Sequence, residues 1–504
     1  MADAPVITVT SAGPLRPAQG ELLGKPLDFW RRTTAKELGL PDTVLTAGTG
    51  HQAELWHPGI LAKYAWAHAL AVSAPESSAH PAQVVHLLVD TDVRPPLSFR
   101  VPVMTRAAER AGSAGSAGSA GNASSASTVL TTVTHLFGPA ARAGVVACAY
   151  PAGLPMPLQL GDASFALPCV EVGVARIERA LRAPAPDGAA QAWLAMRALC
   201  GPPVDGPAWT RTSALLRTTL GDALLERAQR DPAACVRAFN TAARSVARVA
   251  RPLQHRGDAG TELPFWTWGA DGVRRAVTSH ELPALRGTTA PLAPRAFLTS
   301  AIARAALCSR FVHGTGGHVY EQATERFMHE WLGATLPPFD MATATLRLSF
   351  ATEHDSPVTP SIRRRAWFDP DGAFGGADAQ AGAGAAAAGP SAHKLALLAA
   401  VNALPRRSAE RRAAWRAMHE ELARAREARV HELGALMQRE EADRARVREA
   451  TIRAERTWAV PLYPPEMVKD AVDRITHAAQ ETHAAQETHA ASAAQGADSA
   501  RTRT

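Results

Sequence analysis

The sequence predicts an α/β protein with a parallel-sheet core, a mainly helical insertion and a long C-terminal helical arm. Three observations carry this. The run AQVVHLLVD, with Val84–Val89 at its centre, is continuously apolar and closes on an acidic residue, as a strand buried on both faces does. SRFVHGTGGHVYEQ, from Ser309, reads as strand, glycine turn and helix. From Pro405 to Trp458 the chain is an unbroken stretch of helix formers. Within it Trp415, Met418, Leu422, Val430, Leu433, Met437 and Val447 mark one narrow apolar stripe.

Taken in order, residues 1–45 are an N-terminal segment and 46–169 the first part of the core. Inside that part, 111–128 is a Gly/Ser/Ala linker that can bury no core. Ser98–Val103 alternates as a second strand. Residues 170–290 are a helical insertion, broken at Pro184, Pro202 and Pro232. Near its end, ELPFWTWGADGVRR (Glu262–Arg275) reads as strand, Asp-Gly turn and strand, with a structural role. Residues 291–370 return to the core. Phe297–Val312 is a helix running into a strand, His318–Leu332 a helix and Met341–Phe350 a strand.

A second low-complexity linker occupies 371–392. The arm, 393–458, is expected to pack as an antiparallel hairpin with Lys394–Leu404, as a coiled coil, or against a second subunit. An aromatic, Pro-rich return segment, 459–475, packs on the body. The tail, 476–504, repeats THAAQE around His477, His483 and His489, and is expected to grade from frayed helix into disorder rather than bind metal.

Composition narrows the function. With 46% hydrophobic residues among 504, wholesale disorder is excluded. The formal charge is +7, from 54 Lys+Arg against 47 Asp+Glu, and only Lys25, Lys36, Lys63, Lys394 and Lys469 are lysines. Arginine bias spread along the chain argues against a nucleic-acid partner, which needs clustered charge. No apolar run reaches the roughly 20 residues of a membrane span, and the start, MADAPVITV, is not a secretory signal. The expected location is cytoplasmic. Five cysteines, never paired as CxxC, read as reduced, buried thiols.

Three segments can carry chemistry. TAGTGHQAELWHPGILAKYAWAHAL (Thr46–Leu70) puts His51 and Gln52 at a strand-to-helix transition, where free backbone N–H groups favour an anion. His51 suits acid/base work, Gln52 hydrogen bonding, and Lys63 a fixed positive charge near His57. The same residues also fit a polar turn with a capping histidine and a snorkelling lysine, and both readings stand open. In HLLVDTDVRPP, Asp90 and Asp92 follow a buried strand's carboxyl end, where open α/β sheets place ligand groups. A solvated strand end paired with Arg94 or Arg100 is the alternative. The third segment, His313–Gly314–Thr315–Gly316–Gly317 with Tyr320, offers backbone N–H groups to a phosphate or carboxylate, or is a tight connection. It is neither a Walker loop nor a dinucleotide fingerprint. No segment holds a metal-ligand set.

These runs, TGHQ-x-E-L-x-H-P-G with Lys63, VDTD followed by RVP, Pro294–Arg295–Ala296 and VHGTGG with Tyr320, come in the order seen in one family. The chain resembles the bacillithiol biosynthesis cysteine-adding enzymes, and more closely a divergent group of their bacterial relatives. The likeness falls as islands between about residues 46 and 465. It implies a Rossmann-like core with a helical insertion and a coiled-coil arm that makes a homodimer. It also implies a ligase-like or transferase-like enzyme of thiol biosynthesis, adding cysteine to the amine of an anionic sugar-type small molecule. His51, Gln52, Asp90 and Asp92 would then be catalytic. Lys63, His57, His313, Gly314, Gly316, Gly317 and Tyr320 would hold substrate or anion. The cofactor is left open, with a nucleotide as one candidate. Position 51 is His where the family usually has Gln, so fold carries over more safely than substrate. Two further readings use the same fold: a non-catalytic nucleotide- or sugar-binding module assembled through its arm, and a nucleotidyl transferase.

Overall fold

The structure is a computed structural model describing residues 4–43, 45–74, 81–106, 128–138, 140–202, 204–246, 250–295, 297–350, 363–374 and 391–501. The 111–128 linker lies outside the described residues except for Thr128, and the 371–392 linker does so over 375–390. The chain divides into two compact units. The first comprises Met1–Val103, Thr132–Ser349 and Glu455–Thr504, the second Met104–Thr131 and Phe350–Ala454.

The first unit is mixed α/β. Its six-stranded sheet is built from β1 (Val6–Thr10), β2 (Thr46–Gln52), β3 (Gln83–Val89), β4 (Ala208–Arg211), β8 (Arg310–His313) and β9 (Phe339–Thr345). Three further strands, β5 (Glu262–Trp268), β6 (Arg274–Thr278) and β7 (Leu292–Pro294), form a small antiparallel sheet. The main sheet runs β1-β9-β8-β2-β3-β4, all parallel except β1, which pairs antiparallel with β9. The chain therefore builds outward from β2 on one side through β3 and β4, then returns to lay β8 and β9 on the other. The order reverses between β2 and β8, and their carboxyl ends there open a crevice. β2 admits this tight pairing through its glycines. A Cβ on Gly48 would lie 2.7 Å from Cys308 Sγ, and one on Gly50 would lie 2.8 Å from the Leu87 carbonyl.

β4 departs from the expected insertion: AWTR, inside the 170–290 block, supplies the edge strand of the main sheet. Four residues with one aliphatic side chain give no periodic signal. The surrounding helices, α3 (Pro168–Ala180), α4 (Gly188–Cys200), α5 (Thr219–Arg230) and α6 (Pro232–Ser245), break where the prolines predict. The Glu262–Arg275 hairpin is also as expected, as β5 and β6.

α2 (Pro58–Val72) is apolar nearly all round, and is buried on both sides. The sheet covers one side; the final helix, α11 (Pro465–Arg501), covers the other. The return segment docks as expected. Trp458, Leu462 and Tyr463 are buried, the Val460 N–H bonds to the Trp56 carbonyl at 2.6 Å, and the Tyr463 hydroxyl donates to the Leu346 carbonyl at 3.2 Å. Where a disordered tail is expected from 476, α11 continues, and Ala471, Ile475 and Ala479 form a buried stripe at fourfold spacing. The side chains of His483 and His489 lie outside the described residues.

In the second unit, α8 (Ala392–Asn402) packs on α9 (Ala409–Ala428), burying Val401, Met418 and Leu422 with Leu397 and Leu398 against them. That is one of the three packings expected for the arm. The arm is not one helix, however. Arg429 leaves helical geometry (φ −119°, ψ 28°), and α10 begins at Val430 and runs to Ala454. At the break Arg429 pairs with Asp371 at 3.2 Å, and Leu436 packs on Ala366 and Ala373. Of the predicted stripe, Met418 and Leu422 are buried, while Trp415, Val430, Met437 and Val447 are exposed. No helix among the described residues is long and apolar enough to cross a membrane.

Candidate functional site

A cavity of about 530 Å³ opens at the reversal point between β2 and β8, within the first unit. It gathers His51 and Gln52 from the end of β2, and His57 and Lys63 from α2. Asp92 comes from beyond β3. His313, Gly314, Gly316, Gly317 and Tyr320 come from the end of β8 and the start of α7 (Thr315–Leu332). Three segments, the last more than 200 residues beyond the other two, therefore meet, because parallel strands all end on one edge.

Asp90 is the exception. β3 stops at Val89 and the chain turns at Asp90–Thr91, so the two carboxylates do not share a side as an extended i, i+2 pair would. Asp90 is fully buried and does not line the cavity. It accepts from the Ser213 N–H (3.0 Å) and hydroxyl (2.5 Å), with Arg211 at 3.8 Å. Burial pushes its pKa up, against the pull of Ser213. It ties the end of β3 to the segment after β4, a structural duty in place of the expected catalytic one.

At the cationic corner, Lys63 is only 5% exposed. Its Nζ donates to the Gly50 carbonyl (2.7 Å) and sits 3.1 Å from His51 Nδ1; His51 Nε2 lies 2.7 Å from Glu54 Oε1. These partners fix the tautomer: Nδ1 accepts from Lys63 and Nε2–H donates to Glu54. Burial, then the charge of Lys63, lowers His51 to about 4, so the ring is neutral at pH 7. Burial lowers Lys63 to about 7, against a smaller upward pull from Glu54. Burial raises the Glu54 carboxyl, but His51 and Arg94 more than offset it and hold it below the usual range. His57 caps α2, its Nδ1 accepting the Gly59 N–H at 3.1 Å, and burial lowers its pKa.

The opposite wall is built on a buried carboxylate–guanidinium pair. His313 Nε2 lies 3.1 Å from Glu321 Oε1, whose second oxygen binds Arg304 Nη1 at 2.6 Å. Arg304, fully buried, also binds Glu325 at 2.6 Å and the Pro337 carbonyl at 2.8 Å. Although burial would raise Glu321, His313 and Arg304 bring it down to about 2. Gly317 must be glycine, since a Cβ there would meet His313 Nδ1 at 2.5 Å. Gly314 caps α7 with no side-chain bond, and the first helical residues, Thr315 and Gly316, line the cavity. Tyr320 packs its ring on Phe297, centroids 4.7 Å apart.

Sequence reasoning missed Trp266, Arg274, Thr299 and Ser300, which also line the cavity. The first two sit on the hairpin read as structural; nothing local marks a hairpin as the wall of a site. The cysteines are free thiols, and burial pushes Cys148, Cys200 and Cys308 up to about 12, too high for a thiolate nucleophile at pH 7. No family model matches the chain, and no curated protein matches it either.

Proposed function

We propose that the protein is a ligase-like or transferase-like enzyme that joins an amino acid, cysteine by resemblance, to the amine of an anionic sugar-type small molecule. The single observation behind this reading is the convergence of Lys63, His51, Asp92 and the uncapped start of α7 on one cavity. The core is then Rossmann-like: counted along the chain from β2, the parallel strands lie in the order 3-2-1-4-5. The arm would serve self-association, in a cytoplasmic enzyme.

Amide formation needs a deprotonated amine held against an acyl carbon activated by a nucleoside triphosphate, and donors for the developing oxyanion. The acyl C–O bond breaks to release the phosphate or nucleoside monophosphate as the C–N bond forms. The roles of His51 and Lys63 differ from those first expected. Both His51 nitrogens are committed, whereas neutral Lys63 donates two N–H groups and keeps a lone pair for the cavity. With its pKa near 7, Lys63 is the general base that takes the proton from the attacking amine. His51 positions it and links it to Glu54. The N–H groups opening α7 receive the oxyanion.

The test is incubation with cysteine and glucosaminyl malate, with and without ATP, read by mass spectrometry. The ligated mass is expected; its absence in both arms overturns the reading. The uncapped α7 terminus also suits a phosphate and favours, second, a nucleotidyl transferase, which predicts nucleotide-dependent pyrophosphate release without a ligated product.

A further inference from the structure

Arg274 and Asp92 stand side by side on the cavity wall and make no ion pair with each other within 4.0 Å among the described residues. Each is instead anchored separately. The Arg274 guanidinium lies over the Trp266 ring, 4.3 Å from its centroid, and one Nη1–H donates to the Thr91 carbonyl at 2.8 Å. No other acceptor is bonded to its remaining N–H groups among the described residues. One Asp92 carboxylate oxygen accepts the Val93 N–H at 2.8 Å, and the other has no hydrogen-bond partner among the described residues.

The backbones of both residues are pinned to the same short segment. The Arg274 N–H donates to the Gly144 carbonyl at 2.8 Å, and the Ala147 N–H donates to the Asp92 carbonyl at 2.7 Å. Burial lowers the Arg274 pKa while the Asp92 charge raises it, so the two groups sense each other. A planar fork with unspent donors suits a carboxylate, and a carboxylate beside it suits an ammonium.

We infer that Arg274 and Asp92 form a reader for a free α-amino acid, Arg274 taking the α-carboxylate and Asp92 the α-ammonium. This rests on the ligase reading for its place in the reaction, and it names the corner of the cavity that holds the amino acid. Other amino-acid-binding activities would use the same pair.

The experiment is calorimetric titration of the full chain with three probes: L-cysteine, cysteamine, which lacks the carboxylate, and 3-mercaptopropionate, which lacks the ammonium. Wild type is expected to bind cysteine at least about tenfold tighter than either analogue, the loss expected when a charge-assisted contact disappears. Arg274→Gln should weaken cysteine about tenfold or more and leave cysteamine unchanged. Asp92→Asn should weaken cysteine and cysteamine and leave 3-mercaptopropionate unchanged. Because each variant carries its own unaffected probe, a misfolded protein is told apart from a lost contact. Equal losses for all probes, no loss for cysteine, or a wild type that binds no proteinogenic α-amino acid overturns the inference. Ligation with an unchanged KM for cysteine in R274Q sinks this inference and spares the ligase. Selective binding without ligation does the reverse.

Discussion

Two histidines line the same cavity and each meets a glutamate, yet their surroundings make them opposites. His313 reaches Glu321, which Arg304 grips from the far side in full burial, so the Glu321 carboxylate keeps its charge across the physiological range. His51 reaches Glu54, which is partly open to solvent and shared with Arg94 at 3.5 Å. On its other side is Lys63, whose proton is loosely held near pH 7. The difference lies in the third member. A buried guanidinium cannot give up its proton and makes a strut; a buried ammonium can, and makes a proton carrier.

Breaking the strut should have the largest effect. Arg304→Ala leaves Glu321 buried without its cation and should cost about 3–5 kcal/mol of folding free energy, measured by denaturant unfolding. A loss below about 1 kcal/mol would remove the strut from the argument.

Breaking the carrier should spare the fold and stop the chemistry. Lys63→Met should lower turnover about 10²–10⁴-fold, with a melting temperature no lower than wild type. The sign of its stability effect follows from the depressed pKa. Between about pH 7 and its ordinary value of 10.5, unfolded Lys63 binds more proton than folded, so stability rises with pH across that window. The slope should vanish in K63M.

The smallest effect sharpens the contrast. The rate should rise with pH through a limb near 7, and Glu54→Gln, which removes the charge that raises Lys63, should move that limb to lower pH. A limb that stays in place in the pH profile would detach Glu54 from the relay.

Much of this site was legible in the sequence, because the glycine turns and polar clusters of TGHQ and VHGTGG sit at strand ends, and parallel strands bring such ends together. Asp90 was misassigned since its role depends on where β3 stops and on Ser213, over 100 residues away. Arg274 was invisible for a similar reason: its hairpin was recognised, but docking on Gly144–Ala147 is a tertiary event. The same limit hid β4, whose strand is defined by its partner and not by its own pattern. The arm's break at Arg429 has no proline or glycine to announce it; it falls where Asp371, Ala366 and Ala373 pack against the arm.

The two-sided burial of α2 has a consequence for how the protein is made. A helix apolar on every face has no stable home until both its covers exist, and its second cover is drawn from residues 465–479. On a ribosome adding residues from the N-terminus, the sheet can assemble while Lys63 still hangs from an unclamped helix. The reactive corner would be set only once residues 465–479 have emerged, so a chain interrupted before them carries the cavity's residues but not its chemistry.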